Sequence, residues 1–126
     1  PADIVLMGDS HGQHYAEGLF KTLAKPNQLS LYFAAGTSCF HLPGFTRTTK
    51  GHDWDTICPE RTEIGLNFIK QGDQPIVIIS HSWQAQLKRA GTLSDKGIRG
   101  NKEVTIDTII NGILDLKLVL GQVRWS

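Results

Sequence analysis

No stretch of this sequence approaches the roughly 20 consecutive apolar residues that a bilayer-spanning helix needs, so no part of it reads as a transmembrane segment. Charge of one sign is lacking too. Thirteen basic residues against 12 acidic leave a formal net charge of +1, which excludes the broad electrostatic footprint of a nucleic-acid or anionic-membrane binder. There is no signal peptide and no initiator Met, but Pro1 reads as a fragment boundary at which any targeting segment could have been removed, so this absence excludes nothing. Internal repeats and low-complexity tracts are absent, which removes solenoid and linker readings. Cysteine is scarce, with only Cys39 and Cys58 present. His41 and His52 lie near them, but the spacing matches no standard zinc pattern, so no metal site is expected.

What is present is ordinary: 126 residues, 40% hydrophobic and 20% charged, which fits one globular domain. Bridging the two cysteines would close a loop of about 20 residues and contribute roughly 3 kcal/mol. Both bracket a Gly- and Thr-rich segment with no other source of rigidity, and a bridge would suit an oxidising compartment. Two unpaired thiols are the alternative.

Apolar runs at Asp3–Met7, Leu29–Ala34, Ile76–Ser80 and Leu116–Val123 read as strands. Ala16, Leu19, Phe20 and Leu23 recur at helical spacing and predict a helix over Gly12–Ala24, ended by Lys25-Pro26-Asn27. Pro59 suits the first position of a second helix, with Ile64, Phe68 and Ile69 on its apolar face up to Gln71. Ile106, Ile109, Ile110 and Ile113 mark a further helix, and His81–Arg89 is a short helix or an irregular extension. Ala35–Thr56 and Ala90–Asn101 read as loops, the first long enough to be functional. Uniformly apolar strands alternating with helices predict an α/β fold, a three-layer α/β/α arrangement around a parallel, flavodoxin-like sheet. In that order the first and third strands are neighbours, and their carboxyl ends meet at the switch point where ligands bind.

Two unusual polar segments follow those strands: Gly8-Asp9-Ser10-His11 and Ser80-His81-Ser82-Trp83. A serine two residues after a glycine that breaks a strand is a candidate nucleophile, beside the free N–H groups of a helix N-terminus. The plain alternative for Ser10 is a helix N-cap. Gly8 is expected to supply backbone angles closed to other residues. Asp9 is expected to order the turn through backbone hydrogen bonds. Asp9, His11, His81, Ser82 and Trp83 are the candidate pocket-lining residues. The Gly36 N–H would join that of Ser10 in an oxyanion hole, with a simple turn glycine as the alternative. His14 reads as helix surface and His41 and His52 as loop residues. Asp107 and Asp115 read as solvated, and Lys88-Arg89 as a small charged face.

These residues resemble the SGNH (GDSL-like) hydrolase family: Gly8-Asp9-Ser10 matches its first block and Gly36 is placed like its second-block glycine. More narrowly, Gly8-Asp9-Ser10-His11, the cysteines around Cys58-Pro59, and a Trp just after the third strand are similar to the SGNH domain fused to membrane acyltransferase type 3 proteins. Those proteins O-acetylate cell-surface polysaccharides, with the SGNH domain on the periplasmic or extracellular side. Two departures stand out. The third block, usually Gly-x-Asn-Asp with an oxyanion-hole Asn, is here His81-Ser82-Trp83-Gln84, and the Asp-x-x-His block that supplies base and orienter is absent. The resemblance therefore implies a domain incomplete at its C-terminus, with four strands visible, a fifth missing, and the catalytic Asp and His beyond Ser126.

The resemblance implies acyl transfer through an acyl-serine at Ser10, with an acyl donor, a glycan acceptor and a membrane acyltransferase domain as partners, and no cofactor. A non-catalytic carbohydrate-binding domain, with Trp83 and Trp54 stacking on sugar, is one alternative. An intracellular SGNH esterase is another. The last strand of an incomplete sheet would have an open edge inviting self-association.

Overall fold

The computed structural model describes residues 1–35 and 38–120. The chain runs β1 (Ile4–Gly8), α1 (Ser10–Leu19), β2 (Leu31–Ala35), β3 (Phe45–Arg47), α2 (Trp54–Gln71), β4 (Ile76–Ser80), α3 (Trp83–Arg89), β5 (Ala90–Thr92) and α4 (Ile106–Leu120). Strand β1 is buried along its whole length and pairs in parallel with β2 on one side and β4 on the other, Ile4 opposite both Leu31 and Ile76. The order β2-β1-β4 puts the first and third strands of this sheet side by side, as a flavodoxin-like arrangement requires.

The pleat of β1 separates the two helical layers, because successive side chains point to opposite faces. Leu6 and its neighbour Ile78 share a groove with Tyr15 and Leu19 of α1. Met7, one residue on, faces α2: a Cβ on Gly65 would stand 2.8 Å from Met7 Cε and 3.1 Å from the Ala34 Cβ. That second face holds the main core, where Val5, Met7, Ala34, Leu66 and Ile69 pack with Phe40, Leu42 and Phe45. The fold is thus α/β, with helices on both faces of a parallel sheet.

Several boundaries differ from the sequence expectations. The first helix starts at Ser10, not Gly12, because Asp9 caps it, and it continues past Leu19 as a π-helical turn over Phe20–Ala24 closed by Lys25 N–H to the Phe20 carbonyl at 2.8 Å. The second begins at Trp54, which places Pro59 inside it. Its buried face is Cys58, Thr62, Gly65, Leu66 and Ile69, while Ile64 is exposed. The two expected loops carry β3 and β5, an antiparallel pair with Arg47 opposite Ala90. Cys39, Phe40, His41 and Leu42 are buried, so the segment after β2 is a packed layer. Cys39 and Cys58 form a disulfide that ties this layer to α2, with a Cα–Cα distance of 5.4 Å.

The fourth strand expected at Leu116–Val123 is the largest correction. Leu116 to Leu120 continue α4, and 121–123 lie outside the described residues. Leu116, Leu118 and Leu120 alternate, which mimics a strand, but Ile109, Leu116 and Leu120 also recur at helical spacing and are the residues buried. Gly112 lets the helix approach the Phe45 ring, to which a Cβ would come within 2.5 Å.

Candidate active site

The turn from β1 into α1 is built around Asp9. Its side chain is 3% exposed and accepts four N–H groups. Oδ1 takes the backbone N–H of His11 at 3.0 Å and of Gly12 at 3.3 Å. Oδ2 takes the backbone N–H of Ser82 at 2.9 Å and Gln86 Nε2 at 3.0 Å. Burial opposes the charge, but the bonds from Gln86 and Ser82, the proximity of His81 and the Gly12 N–H outweigh it, and the Asp9 pKa is lowered. One carboxylate therefore caps α1 and fastens the ends of β1 and β4 together.

This arrangement settles which residue caps the helix. Asp9 is the N-cap, and Ser10 takes the first helical position, exposed, with its hydroxyl outside the capping bonds. Gly8 and Gly12 make the junction tight. A Cβ on either would run into the Ser80 carbonyl oxygen at the end of β4. Gly8 is thus required by close approach, not by an unusual backbone angle: among the described residues the positive-φ glycines are Gly44, Gly51 and Gly97.

A cleft of about 50 Å³ opens beside Ser10, lined among others by Asp9, His11, Ser38, Ser82 and Gln86. Two residues singled out less readily from sequence also line it, Arg47 and Arg89. Arg47 donates from Nη1 to the Ser38 carbonyl at 3.0 Å and from Nε to Thr49 Oγ1 at 2.6 Å, and its guanidinium sits 5.4 Å from the Trp54 ring centre. The Arg89 carbonyl accepts the Thr48 N–H at 2.7 Å, which pins the end of α3 to the end of β3. Gln86, 3% exposed, spans Asp9 and the Ser38 carbonyl.

His81 and Trp83 belong to a separate aromatic cluster. The His81 ring stacks on Phe40 at 4.8 Å, and Trp83 meets both rings edge-on. His81 Nε2 accepts the His41 backbone N–H at 3.1 Å, so neutral His81 carries its proton on Nδ1. Burial, only partly offset by the charge of Asp9, lowers its pKa to about 4. Burial first, then the charge of His81, lowers that of His41 to about 3. Neither His11 nor His81 is hydrogen-bonded to the Ser10 hydroxyl. His14 is exposed, and His41 lies between β2 and β3 outside regular structure, as expected of a loop residue, but is buried. Trp54 is engaged by Arg47 on one side and by His52 edge-on at 5.0 Å. Gly36, with its half of the expected oxyanion hole, lies outside the described residues. Among the described residues no group of three or more His, Cys, Asp or Glu could hold a metal ion.

The profile of the SGNH domain (fused to AT3 domains) matches residues 1–117. The chain belongs to that family. No curated protein and no solved structure matches the chain significantly. Membership makes this SGNH fold one of the hydrolase and acyl-transfer type, and points to an AT3 membrane acyltransferase as its partner domain. No helix among the described residues is long and apolar enough to cross a membrane. Gly8 ends the central strand of the sheet, and Asp9 and Ser10 follow it into α1.

The arginine pair is what sequence reading missed. Lys88-Arg89 reads as a surface charge pair, and Arg47 sits in an apparent loop. Only the β3–β5 pairing, which has no strong alternation signal in its three residues per strand, brings the two together.

Proposed function

We propose that this domain transfers an acyl group through an acyl-serine formed at Ser10, acting in O-acetylation or deacetylation of bacterial cell-envelope polysaccharide beside a membrane acyltransferase domain. The observation that carries this reading is the exposed Ser10 hydroxyl at the helix N-terminus, released from capping by Asp9 and opening on a polar cleft. Ser10 Oγ attacks the acyl carbonyl and the donor's leaving group departs. The N–H of Ser10 and, by the family pattern, that of Gly36 hold the oxyanion. A base takes the serine proton and returns it to the leaving group, and a sugar hydroxyl or water then accepts the acyl group. The family pattern assigns that base to a His oriented by an Asp, in a block this sequence does not contain. The site requires no metal or organic cofactor for these steps. The disulfide and the family's fusion to AT3 domains support a periplasmic or extracellular position.

A fluorophosphonate serine probe applied to the full-length protein tests the reading. Labelling that Ser10→Ala abolishes, with thermal stability changed by no more than about 0.5 kcal/mol because Ser10 caps nothing, is the expected result. Absent labelling with retained glycan binding would identify a carbohydrate-binding module instead.

A further inference from the structure

Two arginines, Arg47 and Arg89, line the Ser10 cleft without a matching pair of carboxylates. The ion pairs among the described residues are Lys21–Glu17 and Arg99–Asp55, both elsewhere. Among the described residues Asp9 is the only acid lining the cleft, and both its oxygens are already occupied by four N–H donors. Arg47 and Arg89 are near enough that the charge of Arg89, after burial, lowers the Arg47 pKa, with Asp9 only partly opposing. The β3–β5 pairing, with Arg47 opposite Ala90, sets the two arginines on the lining of one cleft, where an anion would meet both positive charges.

The holding is specific. Ser38, Thr49 and Trp54 fix the Arg47 side chain, and the two hydrogen bonds it makes use two of its five N–H donors. The Thr48 clamp on the Arg89 carbonyl fixes the backbone from which the second guanidinium extends. Arginine's planar fork matches carboxylate and phosphate oxygens in a way lysine does not. The overall charge of +1 hides this concentration, because the two residues are 42 positions apart in sequence (89 less 47).

We propose that Arg47 and Arg89 select a substrate bearing an anionic oxyacid, a carboxylate or a phosphate on the saccharide, and hold it beside Ser10. This rests on the acyl-transfer reading for its purpose but not for its test. The anion would anchor the acidic sugar while one of its hydroxyls, or an ester on it, reaches the serine.

The experiment is amide NMR of the chain at low salt, titrated separately with glucuronate, glucose 1-phosphate and glucose. Shifts at the Ser10, Ser38 and Ser82 amides with an anionic sugar, none with glucose, and affinity at least about tenfold weaker in Arg89→Ala would support the proposal. Arg89→Lys, which keeps the charge but loses the fork, should fall between. Comparing the two anionic sugars tells carboxylate from phosphate. Equal response to glucose, or anion binding unchanged in Arg89→Ala, would overturn it. Arg89 is exposed, so its substitution leaves the fold intact, which the amide spectrum outside the cleft checks directly. Anion selectivity without serine labelling would sustain the anion site and defeat the acyl-serine reading. Labelling without anion selectivity would do the reverse.

Discussion

Asp9 and His81 are two buried polar side chains, one organising the turn beside the cleft and one the aromatic cluster behind it. Asp9 positions Ser10 by taking the capping role that serine would otherwise fill. Replacing Asp9 with Ala removes the cap and strands the buried N–H of Gly12 and the Gln86 amide, at a cost of about 2–4 kcal/mol. The buried histidines set the acid behaviour. In the unfolded chain each titrates near 6.5, whereas folding lowers His81 to about 4 and His41 to about 3. Below 6.5 the unfolded state binds more protons than the folded one. The stability these neutral rings contribute is therefore complete above 6.5 and is lost as pH falls towards 4. Thermal melts between pH 7 and 4.5 should show a declining melting temperature, and His81→Phe, which keeps the stack on Phe40, should flatten that decline. An unchanged slope would contradict the assignment. At this scale the sequence displayed the turn-ordering part of Asp9 and the position of Ser10 openly, because both follow from local chain geometry. It concealed Arg47, Arg89 and Gln86, which come to the cleft only through contacts with residues distant in the chain.

Among elements, the decisive contact is between the start of α1 and the end of β4. Gly12 lets the helix backbone press against the Ser80 carbonyl, where a Cβ would clash with backbone and not with a yielding side chain. Gly12→Ala should therefore destabilise the protein, although alanine is the better helix former, whereas Gly18→Ala on the same helix meets nothing and should stabilise it slightly. Chemical denaturation of the two variants checks the opposite signs. The strands of the parallel sheet were legible from composition because β1 is buried on both faces and carries an unbroken apolar run. The antiparallel pair was not, since three residues per strand carry too short a pattern. The end of α4 misled because alternating leucines satisfy a period of two and, through their burial, a period of 3.6 as well.

For the molecule as a whole, β2 and β4 are both edges of the sheet, each pairing only with β1 among the described residues, and β4 is the more exposed of the two, with Ile76 49% exposed. The self-association expected of an open edge thus attaches to β4 and not to a fourth strand. An Ile-Val-Ile-Ile run without Lys or Pro does nothing to block it. Sedimentation over a concentration series, with Ile76→Lys as the blocked form, tests whether a second copy pairs there; identical monomeric behaviour of both would end that proposal. The central claim concerns the cleft at the other end of these strands, where sheet, helix dipole and arginines converge on one hydroxyl. The most direct measurement is acid-quench mass spectrometry of the full-length protein reacting with p-nitrophenyl acetate. An acetyl group on the peptide containing Ser10, absent from Ser10→Ala, is the expected result. Acetyl transfer that persists in Ser10→Ala, or that maps to another residue, would contradict it.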